Sequence, residues 1–511
     1  MNRASPSSLH AISLRLKQFI GTGRRRILFI CFTFFVFLSL LSVSHPVVRR
    51  ASQEFYLDSS SGSGNPSSGS GNSSSSSGSS KGPTKYGFGP PTYEKLRKYE
   101  SDLPQHSLDL PFPEGKKGRY VKFSNQVAML GWNNVLNELL MNAHLAYESN
   151  RAYVFQDYIW QPAHYPWPKE EFLEETPRTP LNAIIGGPTA GGNWGPGDNA
   201  PRSISSKWFD VVCPYHERRF INTREVKSAL GESEGRKIFD TWRKLLLDAP
   251  EGCIEIVPAQ EDTFPQSFDL WLWGSHRVLS LWETFSKSPT SRLLTPSPIV
   301  GSAVVRNEYL FLPRGPRPPH PAPYNPYDRM LAMHLRRGDY KDACIHLATW
   351  NSTYYSWNLL EFLPDHFEPP AGGSWGYNTP ENIEKYLEHC LPNFEAIVKR
   401  VKDARDDYIQ AGLENGQSSI PTLDVLYLLT NEQSEWLDKL KDTLNKDGWV
   451  TIKTSRDLIL DQEQTDVNMA VDMEIARKAA VFIGNGWSSF TSNIVHRRLV
   501  DEKDPISTRF F

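Results

Sequence analysis

Residues 326–511 alternate short apolar runs with longer amphipathic segments, and this alternation restricts the fold more than any other feature of the chain. Four apolar runs predict buried strands: RMLAMHLR, LDVLYLLT, WVTIKT and VFIGN. The segments between and after them predict helices: ENIEKYLEHCLPNFEAIVKRVKDARDDYIQAG as one or two, EQSEWLDKLKDTLNKDG ending at Gly448, VNMAVDMEIARKA, and a last helix from Ser488. Strands separated by helices of this length form a parallel sheet with right-handed crossovers. The segment is therefore predicted to be Rossmann-like.

The first half of the folded region begins in a similar way. RYVKF predicts a strand, VLNELLMNAHLAY a helix with apolar residues at helical spacing, and AYVF a second strand. Seven prolines between 313 and 326 predict a stiff connector. We therefore predict an α/β protein with two Rossmann-like domains facing a cleft, residues 113–325 and 326–511. Residues 156–201 are rich in Trp, Pro and Gly and predict loops over that cleft.

The N-terminal residues predict a membrane anchor and a tether. Six Lys or Arg residues and no acidic residue precede Ile27, and the following 17 residues carry no charge. This asymmetry favours a cytosolic tail (1–26) and a signal-anchor helix (27–48), with a cleaved signal peptide as the alternative. Residues 59–80 contain only Ser, Gly, Asn and Pro, which predicts a flexible, disordered stem over 49–112.

A luminal location agrees with the cysteines and the glycosylation sequons. Beyond Cys31 of the anchor, the even number of remaining cysteines allows three pairings. We favour Cys213 with Cys253 and Cys344 with Cys390, because each pair closes a moderate loop within one predicted domain. Asn72 and Asn351 begin Asn-X-Ser/Thr sequons. The layout is typical of a single-pass type II Golgi glycosyltransferase, with the endoplasmic reticulum as the alternative, although membrane-tethered hydrolases and lectins share it.

The charge pattern points to a local anion site. Lys and Arg number 56 against 58 Asp and Glu, so no global basic field favours nucleic acid. Arg336 and Arg337 nevertheless follow a predicted buried strand, and Ser488 and Ser489 begin a helix directly after another strand. Ligands of parallel sheets bind beyond the carboxyl ends of strands, and helix N-termini bind anions. The two elements are therefore predicted to converge on a phosphate group.

Three motifs resemble a known family. HLRRGDYKDAC (334–344) and FIGNGWSSFT (482–491) are similar to motifs of the GDP-fucose protein O-fucosyltransferase family, and GWNN (131–134) resembles the glycine and asparagine loop of its other domain. The resemblance implies a GT-B fold, a GDP-fucose donor, inversion at the sugar, and neither a metal nor another cofactor. It departs in a turn one residue shorter after His-Leu-Arg, and in Gly486 and Trp487, which replace a Cys-Val pair and imply a different disulfide set.

Carried onto matching positions, the resemblance implies that Arg336 contacts the diphosphate and the glycosidic oxygen as the catalytic residue. The other donor-binding residues that it implies are Gly131, Asn133, Asn134, His334, Arg337, Asp339, Ser488, Ser489, Phe490 and Thr491. Within this set, we expect His334 to orient the loop at the strand end, with a direct catalytic role as the alternative. Arg337 is expected to position the loop or to pair with Asp339.

Independent chemistry agrees with a metal-free donor site. A departing diphosphate requires positive charge, and no Cys or His cluster has metal-ligand spacing, so arginine and a helix N-terminus are expected to supply it. We expect Asp472 and Glu138 to lie on solvent-facing sides of helices. A carboxylate or a water chain near residues 131–138 is the alternative for accepting the hydroxyl proton, and we assign no catalytic base. Trp160, Trp167 and Trp194 are either core residues or stacking partners of an acceptor.

The expected function is transfer of fucose from GDP-fucose to a hydroxyl group of a glycoprotein or glycan acceptor, first of all Ser or Thr of a secretory protein. Two alternatives remain open. A glycan-directed fucosyltransferase would share the donor site and differ in the loops from 156 to 205. A catalytically silent protein that binds a nucleotide sugar or a glycan would keep the architecture but not require Arg336.

Overall fold

The computed structural model describes residues 89–161, 164–167, 177–312, 325–338, 340–416 and 422–511. The predicted tail and anchor, most of the predicted stem with Asn72, residue Asp339 and most of the proline-rich connector lie outside these ranges. Within the ranges, no helix combines the length and the apolar character that a membrane span needs.

The strands are short and form two larger sheets and two small antiparallel pairs. Their bounds are β1 Tyr120–Phe123, β2 Ala152–Phe155, β3 Tyr158–Ile159, β4 Arg178–Thr179, β5 Ile185–Gly186, β6 Ile204–Ser205, β7 Arg219–Asn222, β8 Cys253–Val257, β9 Thr295–Pro296, β10 Met330–Leu335, β11 Val425–Thr430, β12 Thr451–Thr454, β13 Val481–Gly484 and β14 Thr508–Phe510. β3 pairs with β4 and β5 with β9.

Each half of the described chain contains one five-stranded parallel sheet. The N-terminal sheet has the order β6-β2-β1-β8-β7 and the C-terminal sheet the order β12-β11-β10-β13-β14. β10 is the central strand of its sheet, pairing with β11 from Met330↔Val425 to Leu335↔Thr430 and with β13 at Met333↔Ile483. Every residue of β10, β11 and β13 is buried, because helices cover both faces of a parallel sheet. The predicted α/β class with two Rossmann-like halves is confirmed.

Helices connect the strands and cover the sheets. Their bounds are α1 Glu94–Ser101, α2 Trp132–Glu148, α3 Leu181–Ile184, α4 Ser206–Val212, α5 Thr223–Lys227, α6 Gly235–Asp248, α7 Leu270–Trp273, α8 Trp282–Lys287, α9 Pro289–Arg292, α10 Pro298–Asn307, α11 Tyr340–Thr349, α12 Pro380–Cys390, α13 Phe394–Glu414, α14 Glu435–Lys446, α15 Gln462–Asp466, α16 Asn468–Lys478 and α17 Ser489–Val500. The long segment predicted as one or two helices forms two, α12 and α13. The break falls around Pro392, which has no N–H to continue the helical hydrogen bonds.

Two disulfides cross-link the halves internally. Cys213 bonds to Cys253 and Cys344 to Cys390, with Cα atoms 5.6 and 5.8 Å apart. Both favoured pairings are therefore confirmed. The second bridge ties α11 to the end of α12, so it fixes the helix that follows the Arg336 turn.

The predicted stem extends too far along the chain. Residues 94–101 form α1, and Tyr93 and Leu103 are buried. The Tyr93 hydroxyl donates to Asp466 Oδ2 (2.7 Å), and Arg97 binds both carboxylate oxygens of Asp157 (2.6 and 2.9 Å). The serine-rich stretch ends before α1. The apolar and charged side chains of α1 and its neighbours supply the contacts that order the chain there.

Candidate donor-binding site

The carboxyl end of β10 carries the first group of predicted site residues. His334 is its next-to-last residue, and Gly338 turns the chain with a φ of +66°, a conformation that favours glycine. Arg336 is only 3% exposed, and its guanidinium carbon lies 4.6 Å from the centroid of the Tyr340 ring at the start of α11. The aromatic face stabilises this buried cation and holds it at the strand end.

Arg337 points to different partners. Its Nη1 donates to the carbonyl of Pro392 (2.7 Å), and its guanidinium lies 4.3 Å from the Trp436 ring centroid. The backbone N–H of Arg337 donates to Asn431 Oδ1 (3.1 Å), and Asn431 Nδ2 donates back to the Arg337 carbonyl (3.2 Å). Burial lowers the pKa of Arg337. These contacts favour the expected role of Arg337 in positioning the loop. The alternative, pairing with Asp339, involves a residue outside the described ranges.

The turn between β13 and α17 is closely packed. The Asn485 side chain donates to the Cys390 carbonyl (2.8 Å) and accepts from the N–H of Trp487 (3.1 Å). A Cβ on Gly486 would lie 2.2 Å from the Tyr354 ring, so no larger residue fits without a shift. The sequence Gly-Trp at this turn therefore reflects packing against Tyr354, where the resembled family has Cys-Val.

Ser488 and Ser489 stand at the N-terminus of α17 with unsatisfied hydroxyls. Ser488 is the N-cap residue, yet its side chain makes no capping hydrogen bond. The two residues are 0% and 2% exposed, and neither Oγ atom has a hydrogen-bond partner in the described part of the chain. A buried hydroxyl without a partner costs about 1–3 kcal/mol. Together with the free N–H groups of the first helical turn, these hydroxyls form a site for an oxyanion.

His334 joins the two strand ends. Its Nδ1 lies 3.2 Å from Thr491 Oγ1, and its ring lies 4.8 Å from the Phe490 ring. Burial, followed by the charge of Arg336, lowers the pKa of His334 to about 3, so the imidazole is neutral. Since Thr491 Oγ1 accepts the Asn485 N–H (3.1 Å), its own proton is available to His334 Nδ1. The structure thus brings the Arg336 strand and the Ser488–Thr491 segment together, as predicted.

The first turn of α2 reaches the same helix. Gly131 caps α2, and Trp132, Asn133 and Asn134 are buried. Asn493 Nδ2, one turn into α17, donates to the Asn133 carbonyl (3.0 Å) and lies 3.2 Å from its Oδ1. The N-terminal turns of a helix from each half therefore meet, and the donor-binding role that the resemblance implies for Gly131, Asn133 and Asn134 stays a prediction.

The prediction that Glu138 faces solvent is wrong. This residue is 2% exposed, and its carboxylate accepts the Val127 N–H (2.7 Å) and Asn142 Nδ2 (3.4 Å). Burial raises its pKa to about 8. α2 is buried on nearly every side, so a helical position gave no indication of exposure. Glu138 holds the loop that leads to Gly131, and the acceptor base stays unassigned.

The same correction applies to Asp472. It is buried and accepts hydrogen bonds from Tyr427 (2.5 Å) and Ser455 (2.6 Å), and burial raises its pKa to about 6. Tyr427 belongs to β11, and Ser455 follows β12, so the sequence offered no signal for either contact. In the described ranges, no group of three His, Cys, Asp or Glu residues is arranged to hold a metal.

The tryptophans of the predicted aromatic loops either pack against other rings or join a polar cluster. Trp194 packs against Tyr147, and Trp160 stacks on His164. Trp167 is buried and donates from Nε1 to Asp466 Oδ1 (2.9 Å). Asp466 also accepts from Thr179 (2.8 Å), so one carboxylate of α15 binds these loops. No sequence pattern indicates Asp466, because its partners lie almost 300 residues or more away in the chain.

No model of a known protein family matches the sequence, and no curated protein matches it. Among solved structures, the chain is similar to POFUT1 in complex with GDP-fucose, with a TM-score of 0.44 and 14% identity over 77% of this chain and 97% of that one. It is also similar to NodZ alpha-1,6-fucosyltransferase soaked with GDP-fucose, with a TM-score of 0.33 and 11% identity over 75% and 92%. A variant of Arabidopsis thaliana FUT1 in complex with GDP gives a TM-score of 0.31 and 11% identity over 82% and 79%. At these identities and TM-scores the likenesses assign neither a substrate nor an activity to this chain.

Proposed function

We propose that this protein is a fucosyltransferase that transfers fucose from GDP-fucose to a hydroxyl acceptor, with inversion at the sugar carbon. The observation that carries the proposal is the pair of buried serine hydroxyls without hydrogen-bond partners at the N-terminus of α17. His334 and Thr491 connect this helix end to the strand that carries Arg336. Fold resemblance alone would leave the ligand open, whereas unsatisfied donors beside a fixed arginine favour a diphosphate.

The diphosphate fits these groups by charge and by donor count. Ser488 Oγ, Ser489 Oγ and the free N–H groups of α17 would donate to one phosphate, where the helix dipole also favours negative charge. Arg336 would bind the oxygens that become more negative as the sugar leaves. Since Tyr340 holds the guanidinium in place, little reorganisation is needed when charge develops.

The reaction follows from this placement. The acceptor oxygen forms a bond to the anomeric carbon of fucose from the face opposite GDP, the bond to the GDP oxygen breaks, and GDP leaves with the electron pair. The acceptor proton passes to a base that we do not assign. Positive charge on the leaving group comes from Arg336 and the helix N-terminus, so we propose a transfer that requires no metal.

The expected secretory setting remains part of the proposal. The two disulfides agree with an oxidising compartment. A Golgi membrane protein with a luminal catalytic region, anchored through residues 27–48, is the assignment that the sequence favours, with the endoplasmic reticulum as the alternative.

A donor panel tests the proposal. The chain beginning at Lys85 would be incubated with GDP-fucose, GDP-mannose and UDP-glucose, with and without chelator, and the released nucleotide measured. We expect release from GDP-fucose above the other donors, and chelator to leave the rate substantially intact. An absolute Mn²⁺ requirement would overturn the metal-free mechanism, and tight GDP-fucose binding without turnover would favour a silent binding protein.

A further inference from the structure

An exposed tryptophan is presented on a tight, well-fixed turn of the C-terminal half. Ser374 and Tyr377 exchange two backbone hydrogen bonds of 2.9 Å, and Gly376 between them has a φ of +83°. Trp375 and Tyr377 are 55% and 59% exposed. Neighbouring Asn378 donates to the Ala348 carbonyl (2.8 Å) and so attaches the turn to α11. Single exposed aromatic residues are common, whereas a contiguous apolar patch marks an interaction surface, so the neighbours of Trp375 matter.

Trp375 belongs to a row of rings that we name the aromatic ladder, composed of Phe264, Trp271, Trp375 and Trp350. Trp350 stacks on Trp375, with 5.4 Å between centroids and 17° between planes. Trp271 meets Trp375 edge to face at 5.1 Å, and Phe264 meets Trp271 at 5.5 Å. The ladder thus offers successive rings at steps comparable to the length of one sugar unit.

Both halves of the protein contribute to the ladder and hold it firmly. Phe264 and Trp271 come from the segment after β8, which Asn125 binds through the Pro265 carbonyl (3.1 Å) and Ser267 Oγ (3.0 Å). Trp350 and Trp375 come from the C-terminal half. The ladder therefore contains residues of both predicted domains.

One helix connects the ladder with the proposed donor site. α11 begins at Tyr340, against which Arg336 lies, and ends at Thr349, next to Trp350. Ten helical residues span about 15 Å. An acceptor with several sugar residues is long enough to contact the ladder while one hydroxyl reaches the donor.

We propose that the aromatic ladder binds the glycan portion of the acceptor. The electron-rich faces of indole rings attract the polarised C–H groups on the face of a pyranose. The half-buried side chain of Asn351 follows Trp350 directly in the chain and places one polar group next to the rings for a sugar hydroxyl, whereas the buried Asn378 amide is already bonded to Ala348. The inference rests on the proposed function and specifies its acceptor as a glycan or a glycosylated protein.

Binding of defined tetrasaccharides tests the inference. Full-length protein and its Trp375→Ala and Trp350→Ala variants would be titrated with chitotetraose, cellotetraose and mannotetraose by calorimetry. We expect at least one tetrasaccharide to bind, and Trp375→Ala to weaken that binding ten-fold or more. Tyr215→Ala is the matched control, because Tyr215 is 73% exposed and packs on Phe220 in the N-terminal half. The tetrasaccharide affinity of this variant should equal that of the unmodified chain.

GDP-fucose hydrolysis, measured on the same proteins, separates this inference from the proposed function. Unchanged hydrolysis in Trp375→Ala with lost tetrasaccharide binding supports both proposals. If Trp375→Ala loses tetrasaccharide binding but the unmodified chain does not hydrolyse GDP-fucose, the ladder is supported and the proposed function is overturned.

Three results would overturn the ladder. The first is equal tetrasaccharide affinity in Trp375→Ala and the unmodified chain, and the second is no binding of any of the three probes. The third is a glycan on Asn351 that occupies the rings, which would appear as tetrasaccharide binding only after Thr353→Ala removes the sequon.

Discussion

Arg336 and Arg337 are adjacent and carry the same charge, yet their surroundings give them different tasks. Arg336 is buried against Tyr340 at the strand end, while Arg337 is committed to the Pro392 carbonyl and the Trp436 ring. The sequence indicates an anion near the pair, because two guanidinium groups after a buried strand need a reason, and this stays a prediction. It could not distinguish their roles, since Pro392 and Trp436 come from distant segments.

Lysine substitutions at the two positions are expected to separate these roles. Arg336→Lys keeps the charge but loses the planar fork, so turnover should fall on the order of 10²–10³-fold while GDP affinity changes little. Arg337→Lys should reduce thermal stability more than turnover, because its contacts are internal. Steady-state kinetics, GDP binding and melting curves check this. Wild-type transfer by a folded Arg336→Lys variant, or inactivity of Arg337→Lys alone, would show that the wrong arginine was assigned.

The serines at α17 provide a second test at the scale of single atoms. Ser488→Ala and Ser489→Ala remove hydroxyls that have no partner in the described structure, so unfolding free energy should stay constant or rise. GDP affinity should fall about ten-fold or more for each, because a hydrogen bond to a charged group contributes about 1.5–3 kcal/mol. Ser492→Ala is the matched control. Its Oγ accepts the Trp357 N–H (3.1 Å), so it should destabilise the fold and leave GDP affinity unchanged.

At the scale of elements, apolar periodicity located the central strands and most connecting helices of the C-terminal half. β10, β11 and β13 fall on the predicted runs, since strands buried on both faces form continuous apolar stretches, and the half-buried β12 falls on the run WVTIKT. α11 was not predicted, because it follows the arginine turn directly and its packing depends on the Cys344–Cys390 bridge. The same periodicity placed Glu138 and Asp472 in helices but not on buried faces, which tertiary neighbours decide.

The segment around α1 ties both halves together, and its removal is expected to destabilise the fold. A chain beginning at Asp102 loses the Tyr93–Asp466 bond and the two Arg97–Asp157 bonds, whereas a chain beginning at Lys85 keeps them. We expect the shorter chain to lose about 3 kcal/mol or more in urea unfolding. Tyr93→Phe in the Lys85 chain is the control for a single bond and should cost about 1.5–3 kcal/mol. Equal stability of both chains would mean that the segment only lies against the surface.

At the scale of the whole molecule, the sequence could predict a parallel sheet in each half and the disulfides, although it indicated only β1 and β2 of the five strands in the N-terminal sheet. It could not predict what crosses between the halves. Asn493 with Asn133, and Trp375 with Trp271, join residues more than a hundred positions apart. Such contacts leave no local sequence pattern, because each residue also fits the pattern of its own helix or turn. The proposed donor site was therefore visible as two separate motifs, and the aromatic ladder was not visible at all.

Buried neutral histidines are expected to make the whole fold sensitive to acid. Burial lowers the pKa of His144 to about 3, with the charges of Arg236 and Arg243 contributing, and neither ring nitrogen has a hydrogen-bond partner in the described structure. The unfolded chain binds this proton near pH 6.5 and the folded chain only near pH 3. The contribution of neutral His144 to the free energy of unfolding is therefore fully present above pH 6.5. It decreases as pH falls below 6.5, by up to about 1.4 kcal/mol per pH unit.

His144→Leu is expected to remove this share of the acid sensitivity. The ring packs against Phe239 and Phe285, which leucine can also contact, so stability at pH 7.5 should change little or increase. Between pH 6 and 4, the decrease in unfolding free energy should be smaller in the variant by about 1.4 kcal/mol per pH unit at most. Urea unfolding at several pH values measures both quantities on one protein. Parallel pH profiles for the variant and the unmodified chain would mean that His144 takes up its proton without unfolding, and that water reaches this part of α2.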